Sequence, residues 1–251
     1  MTTDNGIRVV MEGGIDVYMA AADETLAELM ASEDGLVVAL REYDDFFRSR
    51  LFAERQSEAI PLVLFMNAYQ LFLAAARMAL SGHSAAVFPL LRTALESAAY
   101  GGLIVRKPDL GEVWMARHRG EAEKKACRKA FTFDRAITAL KVRAPDIHAL
   151  AVWGYEGAID YGAHPNIVGV FGHVSMDENR PDGMVAVSHT SLYGPGHIET
   201  VRGIVACLDF GLAIIGIIAL SPAEVSEPMV AGLQALNDAK NKAVEPYERP
   251  E

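Results

Sequence analysis

The hydrophobic pattern of residues 61–106 predicts two long apolar helices joined by a short turn. In the first helix Leu62, Phe65, Tyr69 and Leu73 recur at spacings of three and four, which is the period of an α-helix. The opposite face is also apolar, which is typical of a helix that is buried on all sides or crosses a membrane. Because polar side chains interrupt the run, we expect a buried helix of a bundle and no membrane span.

Turn and cap residues give the expected limits of this hairpin. Gly82 predicts the turn, because glycine commonly ends a helix. Ser57 is the expected N-cap of the first helix, with Pro61 in its first turn. The second helix should cover residues 84–105, and Pro89 should either delay its start or kink it. The two helices are therefore expected to form an antiparallel hairpin at the centre of the domain.

Four polar residues of the hairpin are predicted to lie within about two helical turns of one another. Asn67 and Gln70 share a face of the first helix, while Arg92 and Glu96 share a face of the second. The antiparallel arrangement also brings Asn67 near Ser97. Buried charges must be paired, so Arg92 and Glu96 are expected to form a buried ion pair. This layer is interpreted either as an internal salt bridge that fixes helix register or as a small ligand pocket.

The rest of the pattern predicts a mainly α multi-helix bundle around this hairpin, with one small β-hairpin insertion. The expected segments are a flexible arm at 1–13, a single helical domain at 14–243, a β-hairpin at about 169–192 and a disordered tail at 244–251. Residues 198–220 form a second buried helix, in which Gly203, Gly211 and Gly216 allow close approach of neighbouring helices. Because several helices are apolar on both faces, we expect a homo-oligomer.

Composition narrows the class of protein. The chain has 251 residues, of which 51% are hydrophobic, and its net charge of −10 should repel nucleic acid and anionic membranes from the molecule as a whole. Cys127 and Cys207 match neither a metal-ligand spacing nor a disulfide framework. The first residues lack the pattern of a signal peptide, so a cytoplasmic protein is expected.

Charge is distributed unevenly along the chain. Residues 106–143 contain eleven basic and five acidic residues, a net charge of +6 that leaves −16 for the rest. A basic patch of this kind binds phosphate groups, so RNA or another anionic ligand is the expected partner. Lys124, Lys125, Arg128 and Lys129 are the candidate nucleic-acid-binding residues. The alternative is a solvated helix face stabilised by ion pairs.

A second candidate site lies at the end of the helix predicted from about residue 145. Tyr161 and His164 are three residues apart and therefore share a helical face, and Pro165 ends the helix. An imidazolium is favoured at such an end, because the last carbonyl groups lack partners there. We therefore expect Tyr161 and His164 to face the same cavity as Arg92 and Glu96, and these four residues are the candidate catalytic set. The alternative is that His164 caps the helix and Tyr161 packs in the core.

Motifs for other chemistry are absent. The sequence has no nucleophile elbow, phosphate-binding loop or dinucleotide fingerprint, and it assigns no cofactor. None of the seven histidines has the spacing of a zinc protease motif. A metal site could be assembled only from scattered residues, namely Asp160, His164, His173 and His189, of which the last two should be neighbours on the β-hairpin. The sequence therefore assigns no metal ligand.

The segments Arg92-Thr-Ala-Leu-Glu96 and Tyr161-Gly-Ala-His-Pro165, together with Trp114, resemble a group of bacterial all-helical proteins related to the HEPN-like domains. The resemblance covers roughly residues 60–166. It implies a helical fold that binds RNA or another ligand, with a role in defence or as a toxin.

HEPN ribonucleases carry an arginine followed after four to six residues by a histidine. Arg143 with His148, and Arg77 with His83, match this spacing. The leading hypothesis is therefore a ligand- or nucleic-acid-binding protein. The alternatives are an interaction protein without chemistry and a metal-dependent enzyme that uses the His164 region.

Overall fold

The computed structural model describes residues 14–53, 58–163, 167–177 and 186–247. Helices dominate these ranges, and the one sheet found in them has two antiparallel strands that pair Val174 with His189 and Asp177 with Ala186. The predicted fold class, mainly α with a small β-hairpin, is confirmed. The expected N-terminal arm and Ser57 lie outside the described residues.

The helices are α1 (Ile15–Ala31), α2 (Gly35–Phe46), α3 (Ala59–Leu80), α4 (Ser84–Arg106), α5 (Leu110–Met115), α6 (Glu121–Ala130), α7 (Phe133–Ile137), α8 (Leu140–Arg143), α9 (Pro145–Ala158), α10 (Ile167–Phe171), α11 (Ile198–Ala219) and α12 (Glu227–Val244). The strands are β1 (Val174–Asp177) and β2 (Ala186–His189). α2 and α9 continue as π-helical turns at Phe47–Phe52 and Ile159–Ala163, and 3-10 turns follow α5 and α12 at Ala116–His118 and Glu245–Tyr247.

The α3–α4 hairpin is the centre of the bundle, as predicted, and α11 packs across both of its helices. α4 begins at Ser84 with Pro89 inside it, so the proline does not delay its start. The glycines of α11 permit close packing: a Cβ on Gly211 would lie 2.8 Å from Cδ1 of Tyr43 and 2.9 Å from Cε2 of Phe72. On Gly216 it would lie 2.8 Å from Cδ1 of Ile147, so larger residues at either position would displace a core side chain.

Two helices in the described part of the chain are long and apolar enough to cross a membrane. They are α3 and α11, with mean hydropathies of 1.7 and 2.1 over their most apolar windows. α11 is a core helix, since 83% of its window is buried inside the fold. The corresponding figure for α3 is only 39%, so the expectation that α3 is buried on all sides is wrong.

Two predicted boundaries are corrected. Residues 169–171 belong to α10 and not to a strand, because Gly169 packs directly on the backbone of Gly162, where its missing Cβ would lie 3.3 Å away. This contact holds a helical turn against the end of α9. At the C-terminus the predicted tail is ordered up to Tyr247, whose hydroxyl donates a 2.8 Å hydrogen bond to Asp34. Residues 248–251 lie outside the described part.

Candidate functional site

One face of α4 carries four side chains that are each four residues apart. Phe88, Arg92, Glu96 and Tyr100 therefore lie along one side of the helix, one turn after another. All four are partly exposed, in contrast to the fully buried Leu91 and Leu95 beside them. This face is covered in part by α9 and by the segment from α5 to α7.

Arg92 is held in place by the ring and hydroxyl of Tyr155 and by a carboxylate. Its Cζ lies 4.9 Å from the centre of the Tyr155 ring, and its Nη2 donates a 3.1 Å hydrogen bond to the Tyr155 hydroxyl. Tyr155 in turn stacks on the buried Phe133, with ring centres 4.2 Å apart and planes 7° from parallel. Arg92 Nε lies 3.5 Å from Glu96 Oε1. The chain of contacts from Phe133 to Glu96 fixes the carboxylate on the α4 surface.

The predicted ion pair between Arg92 and Glu96 is present, but it is not fully buried. The side chains retain 20% and 27% of their exposure, respectively. Water therefore reaches both groups, which weakens their attraction and lowers the cost of losing either one. Glu96 stays accessible to a ligand from the solvent side.

A cleft of about 620 Å³ opens directly beside Glu96. Its lining residues come from α4, α5 and the 3-10 turn after α5; they are Glu96, Tyr100, Trp114, Met115, Arg117 and His118. The cleft combines two aromatic rings, one carboxylate, one guanidinium and one imidazole. Concave sites with apolar walls and a few convergent polar groups are the usual form of ligand sites.

Tyr100 forms the inner wall of this cleft. Its ring contacts Phe131 edge to face, with centres 5.4 Å apart. Burial, with the Glu96 carboxylate as a further cause, raises the pKa of Tyr100 to about 12. Tyr100 is therefore a neutral phenol at physiological pH, which can donate or accept a hydrogen bond but does not act as a base.

The predicted nucleic-acid-binding residues lie on α6, which packs against the 3-10 turn that supplies Arg117 and His118 to the cleft. Lys125, Arg128 and Lys129 are exposed, whereas Lys124 is partly buried and pairs with Glu121 at 3.0 Å. The buried Cys127 anchors α6 to the core. The basic surface of α6 and the cleft are therefore neighbours.

Some basic residues of the segment 106–143 have structural contacts instead. Arg106 donates to the carbonyl oxygen of Ala136 at 2.5 Å, and Arg135 donates to that of Lys129 at 2.5 Å. Arg106 thus ties the end of α4 to α7, and Arg135 ties α7 to the end of α6. The surface available to an anion is correspondingly smaller than the sequence count of charges indicates.

Tyr161 lies at the other end of the same α4 face. Its ring stacks on Phe88 with centres 5.5 Å apart, and it does not line the cleft that contains Glu96. The backbone at Gly162 places Tyr161 there. Gly162 has a φ of 144°, and a Cβ on it would lie 3.2 Å from the carbonyl oxygen of Ala85. His164 lies outside the described residues, so its place relative to Tyr161 stays a prediction.

The predicted four-residue polar layer divides into two parts. Asn67 Nδ2 donates a 2.9 Å hydrogen bond to Ser97 Oγ, which confirms that these two residues are neighbours. Gln70, however, is exposed and lines a groove on the far side of α3, away from Arg92 and Glu96. The layer is split because α3 turns Gln70 to the solvent, while Asn67 still reaches Ser97 on α4.

The two arginine–histidine spacings have contacts of a structural kind. Arg143 donates to the carbonyl oxygens of Pro222 and Ala223 at 2.7 and 3.0 Å, and so fastens the loop after α11. Arg77 pairs with Asp23 at 3.0 Å, while the ring of His83 contacts Tyr18 edge to face. Each of the two arginines therefore has a contact within the fold.

The histidines of the β-hairpin are neighbours, as predicted. The rings of His173 and His189 lie 6.2 Å apart, and Nδ1 of His173 lies 2.7 Å from the hydroxyl of Tyr193. Within the described residues, no group of three or more histidine, cysteine, aspartate or glutamate side chains could hold a metal ion. His164, one of the residues considered for such a site, lies outside that part.

Sequence reasoning missed most of the cleft. Tyr100 could have been found, because it continues the four-residue spacing of Arg92 and Glu96. Tyr155, Arg117 and His118 gave no such signal, since their places depend on how α9 and the turn after α5 pack on α4.

Comparison of the chain with known protein families, with curated proteins and with solved structures found no match.

Proposed function

We propose that this protein binds single-stranded RNA, with one base in the cleft beside Glu96 and the adjoining phosphates along α6. The observation that carries the proposal is the cleft itself, in which Tyr100 and Trp114 lie beside Arg117 at the edge of the basic helix. Aromatic rings that stack on bases, flanked by cations that follow the backbone, are the usual means of binding single strands.

Glu96 gives the cleft a preference among bases. Its carboxylate accepts hydrogen bonds and is held by Arg92, so it suits a base that presents an amino group. Adenine, cytosine and guanine carry such a group, whereas uracil does not. We therefore propose that the base in the cleft bears an exocyclic amine.

The HEPN-like resemblance independently implies RNA as the ligand, and it extends the proposal to a role in defence or as a toxin. RNA cleavage is not part of the proposal, because neither Arg143 nor Arg77 lines the cleft beside Glu96. The proposed activity is binding.

Charge reversal on α6 should weaken RNA binding in a salt-dependent way. The double change Lys125→Glu with Arg128→Glu removes two exposed cations, and we expect affinity for a single-stranded 12-mer to fall at least about tenfold at low salt. The slope of log affinity against log salt should fall by about two, since about two fewer counterions are released. Fluorescence anisotropy at several salt concentrations measures both quantities.

A matched control separates a local effect from a change in net charge. Arg50→Glu with Lys242→Glu makes the same charge change at exposed positions on the π-helical turn after α2 and on α12. If this control weakens binding as much as the α6 double change, the proposed surface is wrong. Binding that does not depend on salt would equally contradict it.

Glu96→Gln should reduce discrimination between bases while leaving the fold intact. In the unaltered protein we expect oligo-adenylate or oligo-cytidylate to bind more tightly than oligo-uridylate, by about tenfold. The amide keeps the shape but loses the charged acceptor, so this ratio should approach one.

Trp114 supplies a direct readout of the cleft. The chain has two tryptophans, so the Trp153→Phe variant contains Trp114 as its only tryptophan. RNA should quench Trp114 emission in that variant. RNA binding without quenching would show that the base lies elsewhere.

A further inference from the structure

The outward face of α3 is an apolar stripe on the molecular surface. Val63, Met66 and Leu73 are 59%, 47% and 40% exposed, respectively. They alternate at spacings of three and four with the exposed Gln70 and Arg77, so all five share one face of the helix. Single exposed apolar residues are ordinary, but several on one face of a central helix of a bundle indicate a binding surface.

The exposed positions of this stripe are nearly symmetrical in the sequence about position 68, which is occupied by the buried Ala68. Val63 lies five residues before Ala68 and Leu73 five after it, while Met66 and Gln70 lie two residues before and two after. If two copies of α3 pack antiparallel, each of these residues meets its counterpart from the other copy. Such pairing is what a two-fold axis requires, because contacts must be reciprocal.

The charges at the two ends of the stripe follow the same symmetry. Glu58 lies ten residues before Ala68 and Arg77 nine residues after it, and both are exposed. Antiparallel packing brings Glu58 of one copy near Arg77 of the other at both ends, whereas parallel packing brings like charges together. In the single chain Arg77 pairs with Asp23, but that pair is exposed at 54% and 68% and is therefore weak.

We propose that the α3 stripe is a homodimer interface in which α3 packs antiparallel on α3 of a second copy. A groove of about 510 Å³ beside α3 receives the partner's side chains. Leu62, Met66, Tyr69, Gln70 and Leu73 of α3 line it together with Arg48 and Phe52. Helices pack about 8–10 Å apart when the side-chain ridges of one enter the grooves of the other.

A membrane is the other surface that an apolar helix face suits. Against it stand the exposed Asn67, Gln70 and Arg77, which would lose hydrogen bonds to water in the hydrocarbon region. In a dimer the side-chain amides of Asn67 and Gln70 lie at the middle of the helix pair, where Gln70 can form a hydrogen bond across the interface. The observations therefore favour a second copy of the chain.

Cysteine cross-linking tests the register. Val63→Cys and Leu73→Cys proteins are mixed at about 50 µM, so that a dimer of micromolar affinity is populated. A short bismaleimide should then link the mixture into dimers, and neither variant alone should be linked efficiently. The native Cys127 and Cys207 are buried and do not compete.

Sedimentation equilibrium gives the second readout. Met66→Glu should raise the dimer dissociation constant at least tenfold, whereas Met19→Glu, at a similarly exposed apolar position on α1, should leave it unchanged. Glu58→Arg or Arg77→Glu alone should weaken the dimer, and the two changes together should restore it. Circular dichroism checks that each variant keeps its helices.

Three results would overturn the proposal. The protein could stay monomeric up to about 100 µM, cross-linking could be as efficient in the single variants as in the mixture, or Met19→Glu could weaken association as much as Met66→Glu. Flotation with phosphatidylcholine vesicles that depends on Met66 would assign the stripe to a membrane instead. RNA binding does not enter any of these measurements, so this proposal and the proposed function fail separately.

Discussion

Asp209→Ala should lower the free energy of unfolding by roughly 3–5 kcal/mol. Asp209 lies within the apolar α11 and pairs with Lys240 of α12, with 2.7 Å between Oδ1 and Nζ. Both side chains keep only 15% of their exposure. Removal of the carboxylate leaves the largely buried ammonium of Lys240 without its partner, which is far more costly than the pair itself is stabilising.

A double variant distinguishes loss of the pair from creation of an unpaired charge. Asp209→Leu with Lys240→Met removes both charges and keeps similar volume, so most of the lost stability should return. The exposed pair between Asp45 and Arg48 is the control, and Asp45→Ala should cost no more than about 1 kcal/mol.

Urea denaturation with an unchanged slope measures all of these differences. A loss below about 1 kcal/mol for Asp209→Ala would show that solvent reaches Lys240 and that the pair is not structural.

The same pair shows where prediction from the sequence ends. Asp209 is the one charge in the apolar stretch of α11 that starts at Ile204, so a partner could be expected. The identity of that partner, 31 residues away on α12, depends on how the two helices rotate about their axes. Hydrophobic spacing does not determine that rotation for α11, because it is apolar on every side.

The α3–α4 hairpin could be predicted in more detail. Its periodicity and Gly82 gave the two helices and the turn, and the antiparallel pairing then placed Asn67 beside Ser97. Which face of α3 points outward could not be predicted, because large apolar side chains occur on both faces, such as Leu64 on the buried face and Leu73 on the exposed one. Gln70 was consequently expected near Arg92, whereas it lies on the exposed side.

The candidate site was predictable only within α4. Arg92 and Glu96 follow from their four-residue spacing, but Trp114, Arg117 and Tyr155 reach them through packing of separate elements. The segment between α4 and α9 consists of short helices, and such helices carry too few turns for a reliable hydrophobic period. The cleft is therefore a product of tertiary structure.

Gly82→Ala should cost about 2–4 kcal/mol of stability. Gly82 has a φ of 78°, where an L-amino acid with a Cβ is strained by about 1–2 kcal/mol. A Cβ there would also lie 2.1 Å from the carbonyl oxygen of Tyr193, so the backbone must move. Because the strain and the displacement act at the same turn, their costs combine.

The neighbouring contacts explain why Tyr193 cannot move away easily. Its amide donates a 3.1 Å hydrogen bond to the carbonyl oxygen of Gly82. On the other side the buried Thr200 hydroxyl lies 3.3 Å from the carbonyl oxygen of Tyr193 and 2.8 Å from that of Gly194. The segment before α11 is thus clamped between the α3–α4 turn and α11, and an added methyl group breaks the clamp.

Gly157→Ala is the matched control, because this glycine of α9 has a helical conformation and nothing lies within 4 Å of its would-be Cβ. The same chemical change should there be neutral or stabilise the fold by up to about 1 kcal/mol. Denaturant unfolding gives both free energies, and amide exchange at Tyr193 should accelerate in Gly82→Ala alone. Equal stability of the two variants, with Tyr193 still protected, would show that the turn tolerates a side chain and that the clamp does not hold α11 in place.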